Sequence, residues 1–416
     1  MIHHYSQSPE ALERWYAGPL GNHIDGFAKL LFDQGYATNT AQTKIRLVAD
    51  LSRWLERKQL TVRDLDLDEN RINEYLKFRA NHLVPNRNDK PTFRALLKQL
   101  RNDGLIRSSP PAVEGGQIDR IENDYGRYLT QERGLTQSTL AKYLPIMRRF
   151  LIVRFGNSLI SLEELSPDDI TQFILHHAQA CGRRHSQVMM TALRSFLHFV
   201  YQKGQTPTDL STCVPTVANW SLSELPIFLK PEDIERLLQS CDKSSIIGQR
   251  DYAVLLLLAR LGLRAGEVVH MVLEDIDWDA GELIIRGKSF RQDRLPLLQD
   301  VGEALATYLY QGRPRCSSRR VFIRNMAPHK GFSSSTAIGD IVRRAFKRAG
   351  LQRTHKGAHL LRHSLATQML NKGSSLNEIG EILRHEQPHT TEIYAKVDWM
   401  ALKSLAQPWP GEWNHE

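Results

Sequence analysis

Cysteine is scarce in this sequence, and the few cysteines are scattered. The 416 residues include four, Cys181, Cys213, Cys241 and Cys316, and no two of them form a C-x-x-C pair. This spacing supports neither a disulfide framework nor a cysteine zinc site. We therefore expect the chain to work in a reducing compartment, the cytoplasm.

Long apolar runs are also lacking. The longest, residues 252–259, is far shorter than the roughly 20 residues that a membrane-spanning helix needs. The opening M-I-H-H-Y-S has neither the charged nor the apolar region of a signal peptide. We expect a soluble protein with no membrane partner.

Acidic residues are too few to balance the basic ones. Lysine and arginine total 55 against 46 aspartates and glutamates, which gives a net charge of +9 and a pI near 9.3. Such a balance favours a polyanionic partner, most simply nucleic acid, although a solvated basic surface without a partner is the alternative. The length predicts two or three domains at roughly 100–200 residues each.

The first half of the chain reads as helical and as two similar segments, 1–110 and 117–212. Residues 40–55 carry apolar side chains at helical spacing, and a Ser-Ser-Pro-Pro linker follows at 108–111. The segment 128–139 (Y-L-T-Q-E-R-G-L-T-Q-S-T) echoes 31–40 (L-F-D-Q-G-Y-A-T-N-T), and each leads into a long amphipathic helix. We interpret this as a duplicated helical module, with chance similarity as the alternative.

Basic residues in the second segment lie off its apolar stripe, where they suit contacts to DNA phosphates. The candidates are Arg148, Arg149, Arg154, Arg183, Arg184 and Arg194. Each of them taken alone is more simply explained as solvated charge.

A third segment, 225–416, opens with a proline and two acids at a helix start and contains a predicted hairpin. Gly262 is predicted to end a buried helix, and Arg264 to begin the next one, with Glu267 one turn later. The strand E-L-I-I-R-G-K presents Lys288 at its end, and the polar turn S-F-R-Q-D leads into a second strand, R-L-P-L. Arg291 in that turn is a further candidate for DNA contact.

Polar side chains crowd the stretch from 355 to 394. Gly373 is predicted to end one helix, and a capping box of Ser375 and Glu378 to start the next. Pro388 breaks the pattern before a short segment that delivers Tyr394. Histidines, an arginine and a tyrosine are therefore placed on consecutive short helical pieces.

Four segments together resemble the ordered signatures of the tyrosine recombinases, the phage integrase family. They are L-G-L-R-A-G-E, G-K-x(5)-R-L-P-L, H-L-L-R-H-S-L-A-T and L-R-H-x(8)-Y. The helical stretch 118–205 is similar to that family's core DNA-binding domain. The resemblance implies a fold that is mainly α with a small β-sheet: helical SAM-like DNA-binding modules followed by a mixed α/β catalytic domain.

The resemblance also implies a catalytic set of Arg264, Lys288, His359, Arg362, His385 and Tyr394. The two arginines have the planar fork that matches phosphate oxygens, and His359 shares a helix face with Arg362. His385 adds a donor, Lys288 protonates the leaving 5′-oxygen, and Tyr394 forms a 3′-phosphotyrosyl link. No metal or cofactor is implied.

Other readings of single residues are weaker. His359 and His363 at i, i+4 could suggest zinc, but a zincin needs glutamate at position 360, which is leucine. His363 is interpreted as a supporting or core residue, and Glu267 as a group that orients Arg264.

Three features depart from the family pattern. Ser289 and Arg384 stand where glycine is usual, and the module at 1–110 is additional. We expect the two substitutions to affect loop shape more than chemistry.

The sequence thus predicts a site-specific recombinase or integrase, which serves the integration, excision or transposition of a mobile element. It is expected to act as a homo-tetramer on double-stranded DNA, alone or with related recombinases. The tail after Tyr394 would dock on a neighbouring protomer or pack on its own domain. The alternatives are DNA relaxation of the type IB topoisomerase kind and a catalytically silent DNA-binding regulator.

Overall fold

The computed structural model describes residues 1–66, 69–81, 84, 86, 88–106, 116–156, 158–178, 182–216, 226–287, 292–352, 356–385, 387 and 390–397. Within these ranges the chain is mainly helical, with one three-stranded antiparallel sheet, as the sequence predicts. Backbone contacts divide it into two compact units. One comprises Met1–Leu65, Glu69–Ile106 and Leu222–Glu416, and the other comprises Asp66–Asp68 and Arg107–Ser221.

The N-terminal part of the first unit has its own apolar core. Its helices are α1 (Pro9–Tyr16), α2 (Ile24–Asp33), α3 (Thr38–Arg57), α4 (Glu69–Ala80) and α5 (Asp89–Asn102). The buried Lys44 on α3 donates to the Thr92 hydroxyl on α5 at 2.8 Å, which satisfies a charge inside this core. The loop after α2 contacts the C-terminal part of the same unit, since the Gln34 carbonyl accepts from the His329 amide at 2.9 Å.

The second unit is a helical bundle around aromatic side chains. Its helices are α6 (Gln117–Arg127), α7 (Gln137–Phe155), α8 (Pro167–Ala178) and α9 (Arg183–Gln202). Tyr125 and Phe150 both contact Phe196 in the core. The segments 1–110 and 117–212 share one order of elements. Each has a long helix, then a 3₁₀ turn with acidic residues, then a 12-residue helix and then another helix.

The C-terminal part of the first unit holds the sheet. Its helices are α10 (Pro231–Gln239), α11 (Ile246–Arg260), α12 (Ala265–His270), α13 (Gln299–Thr307), α14 (Thr336–Arg348), α15 (Ala358–Asn371) and α16 (Leu376–Ile382). Its strands are β1 (Ile276–Asp277), β2 (Glu282–Arg286) and β3 (Gln292–Pro296), in the order β1-β2-β3. The predicted hairpin of β2 and β3 is confirmed, with Ile284 opposite Arg294.

Buried residues of α11 and α14 form the main core here. A smaller cluster contains Ala366, Leu383 and Tyr394. In the part of the chain that the structure describes, no helix combines the length and the apolarity needed to cross a membrane.

Candidate active site

The turn between α11 and α12 positions Arg264. Gly262 has a left-handed φ of +59°, and a Cβ there would lie 2.7 Å from the Leu383 side chain, so the turn requires glycine. Arg264 caps α12, and its amide donates to Glu267 Oε2 at 2.8 Å. Its Nη1 donates to Glu267 Oε1 at 2.8 Å. The predicted contact between Glu267 and Arg264 is therefore confirmed.

Helix α15 presents Arg362 beside that turn. The side chain is buried, with 4% of its surface exposed. Its Nη1 donates to the Gly262 carbonyl at 2.5 Å, and its Nη2 donates to the Leu383 carbonyl. Burial, followed by the nearby Arg264, lowers the pKa of Arg362 to about 10, which leaves it charged at neutral pH.

The corner after α16 places Arg384 and His385. Arg384 has a left-handed φ of +56°, and its carbonyl accepts from Arg264 Nη2 at 3.2 Å. Two consecutive carbonyls, of Leu383 and Arg384, thus fix the guanidiniums of Arg362 and Arg264. His385 Nδ1 lies 2.7 Å from the Thr391 hydroxyl. In the tautomer in which Nδ1 accepts from Thr391, the proton of the neutral imidazole is on Nε2, which can donate to a ligand.

Tyr394 lies in the 3₁₀ segment Glu392–Val397 with 1% of its surface exposed. Its hydroxyl is 2.8 Å from Nδ1 of His363 on α15. Burial raises the pKa of Tyr394 to about 12, although Arg362 opposes the increase. Burial and then His359 lower the pKa of His363, so the imidazole is neutral at pH 7 and can accept the phenol proton.

The electrostatic environment of the site is positive. Burial works to raise the pKa of Glu267, but Arg384 and then Arg264 more than offset it, and the carboxyl stays ionised. One carboxylate is therefore surrounded by the guanidiniums of Arg264 and Arg384, with Arg362 close by. Preorganised guanidiniums of this kind stabilise negative charge on phosphate oxygens.

The structure brings together five of the six predicted catalytic residues, at the junctions of α12, α15, α16 and the Tyr394 segment. His359 is exposed on the first turn of α15, one turn before His363. The sixth, Lys288, lies outside the described residues, as do Arg291 and Ser289.

The predicted DNA contacts of the second unit differ in their surroundings. Arg149 on α7 is exposed. Arg148 instead donates to Asp119 and Glu122 of α6, at 2.6 Å each, so a DNA phosphate would have to compete with two carboxylates. Arg183 and Arg184 begin α9.

The roles of three residues in the site were predicted from the sequence only in part or not at all. His363 was interpreted as a supporting or core residue, and the structure adds its contact with the phenol of Tyr394. Thr391, which holds His385, gave no signal. The expectation for Arg384 was incomplete, because its backbone keeps the shape that glycine would take while its side chain enters the site. The one signal in the sequence was that Arg384 stands at a position where the family usually has glycine.

Two half-buried histidines, His363 and His385, are expected to make stability depend on pH. Burial, followed by Arg362, lowers the pKa of His385 to about 4, and burial lowers that of His363, both from 6.5. The unfolded chain takes up protons near pH 6.5 while the folded site resists them, so stability present above that pH is lost as the pH falls toward 4. The denaturation midpoint should decrease over this window.

His385→Asn should reduce that decrease, whereas the exposed His3→Asn should preserve it. Equal decreases in both variants would place the pH dependence elsewhere in the protein.

Comparison with known proteins finds two family matches in this chain. The model of the phage integrase family matches residues 227–399, and that of the phage integrase N-terminal SAM-like domain matches 123–204. A protein of Sinorhizobium fredii named as an integrase/recombinase, y4rA, is 43% identical over 97% of both chains.

Two further proteins extend the comparison. Tyrosine recombinase XerD of Listeria monocytogenes serotype 4b is 30% identical over 69% of this chain and 97% of its own length. The crystal structure of XerH site-specific recombinase bound to palindromic difH substrate, a post-cleavage complex, is 18% identical with a TM-score of 0.55. That match covers 81% of this chain and 94% of the XerH chain, and it shows a common fold.

Proposed function

The chain belongs to the phage integrase family of tyrosine recombinases, enzymes that cleave and rejoin DNA strands, and we propose that Tyr394 is its nucleophile. The observation that carries this proposal is the 2.8 Å contact between the Tyr394 hydroxyl and His363 Nδ1, beside Arg362. A phenol whose pKa is about 12 is a poor nucleophile at pH 7 unless a neighbouring base takes its proton.

The proposed step is a transfer of the phosphoryl group from DNA to the tyrosine. His363 takes the phenol proton, Tyr394 Oη bonds to phosphorus, and the bond from phosphorus to the 5′-oxygen breaks. The departing oxygen takes a proton from an acid, the role proposed for Lys288. The resulting 3′-phosphotyrosyl bond conserves the energy needed for rejoining.

The remaining proposed roles concern the non-bridging oxygens. Arg264 and Arg362 hold them with forks that are already fixed by carbonyl oxygens. His385 adds its Nε2 donor. His359, exposed at the start of α15, is proposed to donate from the same side.

A covalent capture experiment tests the nucleophile. The protein is incubated with a pool of nicked duplexes with a randomised core, so that cleavage next to the nick releases a short fragment and prevents rejoining. Adducts that survive denaturant are isolated, their DNA is sequenced, and the attached peptide is identified by mass spectrometry. We expect one defined DNA sequence to be recovered, attached to Tyr394. A duplex of this sequence is called the captured duplex below. Attachment at another residue, or no adduct, would contradict the proposal.

The alternatives make different products from the same substrate. A type IB topoisomerase relaxes DNA within one duplex, and a silent regulator forms no adduct. The relatives named as recombinases favour exchange between duplexes. Incubating two intact, un-nicked duplexes that carry the captured sequence but differ in length distinguishes these activities, because recombination alone yields recombinant lengths.

Exchange between two duplexes requires four strand cleavages, and each cleavage links one tyrosine to DNA until that strand is rejoined. We therefore propose four copies of this chain, or copies together with related recombinases, on two DNA sites. Integration, excision or transposition of a mobile element is the proposed outcome, and the cytoplasm the proposed location.

The segment 1–110 is proposed to be a second DNA-binding module. The XerD relative matches 69% of this chain, whereas y4rA matches 97% of it. The match to the SAM-like domain begins only at residue 123. The shared order of helices supports duplication of the module at 117–212, before a catalytic domain at 225–416. Arg149 is proposed to contact DNA phosphate. Arg148, Arg183, Arg184 and Arg291 stay predictions.

His363→Asn tests the proton acceptor. The asparagine Oδ1 can replace Nδ1 as a hydrogen-bond acceptor, but it has no basic nitrogen. Single-turnover cleavage of the captured duplex at pH 7 should slow on the order of 100-fold, a typical loss for a general base. DNA affinity should be unchanged, and the decrease of the wild-type rate at acidic pH should disappear. Cleavage by His363→Asn at the wild-type rate would reduce His363 to a structural role.

A further inference from the structure

Arg384 occupies a backbone conformation that disfavours its own side chain. Its φ is +56°, in the left-handed region that glycine adopts freely and a residue with a Cβ does not. Its side chain is also buried, with the residue only 5% exposed. A strained backbone and a buried charge at one position indicate that the side chain has a function.

The contacts of Arg384 lead directly to the phosphate site. Its Nη2 donates to Glu267 Oε2 at 3.0 Å, and its Nη1 donates to the Ile382 carbonyl at 2.9 Å. Its Nε is buried without a hydrogen-bond partner among the residues that the structure describes. The ion pair with Glu267 spans 117 positions of sequence, so it joins the corner after α16 to the start of α12.

Glu267 creates the requirement that Arg384 meets. Its carboxylate is bonded to Arg264 through Oε1 and, by the backbone, through Oε2. This contact orients Arg264, but it also offsets part of the positive charge that Arg264 offers to a phosphate. A second guanidinium on the same carboxylate compensates for that loss.

We propose that Arg384 is a positioning residue of the phosphate site. It neutralises Glu267, so that this carboxylate no longer offsets the positive potential of Arg264 and Arg362 at the scissile phosphate. The inference rests on the proposed function. Three guanidiniums around one carboxylate give an excess of two positive charges, and without Arg384 the excess is one.

The chemistry explains why two charges matter. Once the phenol proton has left, the five-coordinate phosphorus carries two negative charges on its non-bridging oxygens at the transition state. The ground-state diester carries one. Arg384 therefore acts on the rate of cleavage more than on the binding of DNA.

Arg384→Gly is the decisive variant, because glycine keeps the left-handed corner and both carbonyls. We expect single-turnover cleavage of the captured duplex to slow roughly tenfold or more, a modest effect for one charge acting through another group. DNA affinity should change less than about twofold, since the ground state depends less on this charge. Arg260→Gln is the matched control, because Arg260 also joins two carboxylates, of Glu235 and Asp300, but outside the site. It should cleave as the wild type does.

Two rescues separate this role from a structural one. Adding Glu267→Gln to Arg384→Gly removes the carboxylate whose charge is no longer neutralised, and it should recover most of the lost cleavage rate. A captured duplex with a methylphosphonate at the scissile position has one charge fewer at the transition state, so wild type and Arg384→Gly should cleave it at similar rates.

The outcomes are distinguishable. Arg384→Gly cleaving like wild type, or a defect that neither rescue reduces, overturns this inference and leaves the proposed function intact. Failure of the wild-type protein to form any Tyr394 adduct overturns the proposed function itself.

Discussion

Tyr394→Phe is expected to abolish covalent capture of DNA while leaving the protein folded and able to bind DNA. Phenylalanine lacks the hydroxyl that is proposed to bond to phosphorus, so cleavage should fall by a factor on the order of 10⁴ or more. The variant loses one hydrogen bond, to His363 Nδ1, which costs about 1 kcal/mol of stability. The aromatic ring still fills its place in the small core with Leu383. The measurement is the yield of denaturant-resistant adduct on the captured duplex.

A matched control is Tyr310→Phe, because Tyr310 is in the same unit and 90% exposed. It should form adducts at the wild-type rate. Gel-shift affinity should be the same for both variants and for wild type. A residual adduct in Tyr394→Phe would show that another residue attacks, and equal losses in both variants would indicate a general effect of removing hydroxyls.

Features of the fold that depend on neighbouring residues could be predicted from the sequence. Gly373 has a left-handed φ of +91° after α15, and Ser375 and Glu378 form the predicted capping box at α16. These signals act within one helical turn, so they can be read directly. The helix expected at 40–55 occurs as Thr38–Arg57, slightly longer at both ends.

Contacts between distant segments could not be read in the same way. Arg264 meets the Arg384 carbonyl across 120 positions, and Arg362 meets the Gly262 carbonyl across 100. No local pattern specifies such pairs, since they form only when α12, α15 and α16 pack together. β1 was missed for the same reason, because its two residues are a strand only through pairing with β2.

The resemblance to a family supplied the identities of the candidate catalytic residues, but not the network that connects them. It pointed to Arg384 only as a departure from glycine. The structure adds the physical reason to examine it, because Glu267 bonds both Arg264 and Arg384.

Arg362→Lys is the second variant with a large expected effect, because Arg362 bonds two backbone carbonyls and is also proposed to hold the scissile phosphate. Lysine keeps a positive charge, but one ammonium cannot reach the Gly262 and Leu383 carbonyls while facing a phosphate. Leaving one buried carbonyl without a donor costs about 1–3 kcal/mol, so the melting temperature should fall by several degrees. Single-turnover cleavage per folded molecule should fall on the order of 10³-fold, as when a preorganised donor is removed from a developing charge.

Arg250→Lys separates the two contributions. Arg250 is also a buried arginine of the same unit, and it donates to Asp251 at 2.7 Å and to the Ile323 carbonyl at 3.4 Å, away from the site. Its replacement should reduce stability to a similar degree and leave cleavage per folded molecule unchanged. The assignment of Arg362 to the phosphate fails if both variants lose the same fraction of cleavage after correction for the folded population. It also fails if Arg362→Lys loses stability alone, because a guanidinium that only braces the fold would not change the rate of attack by Tyr394.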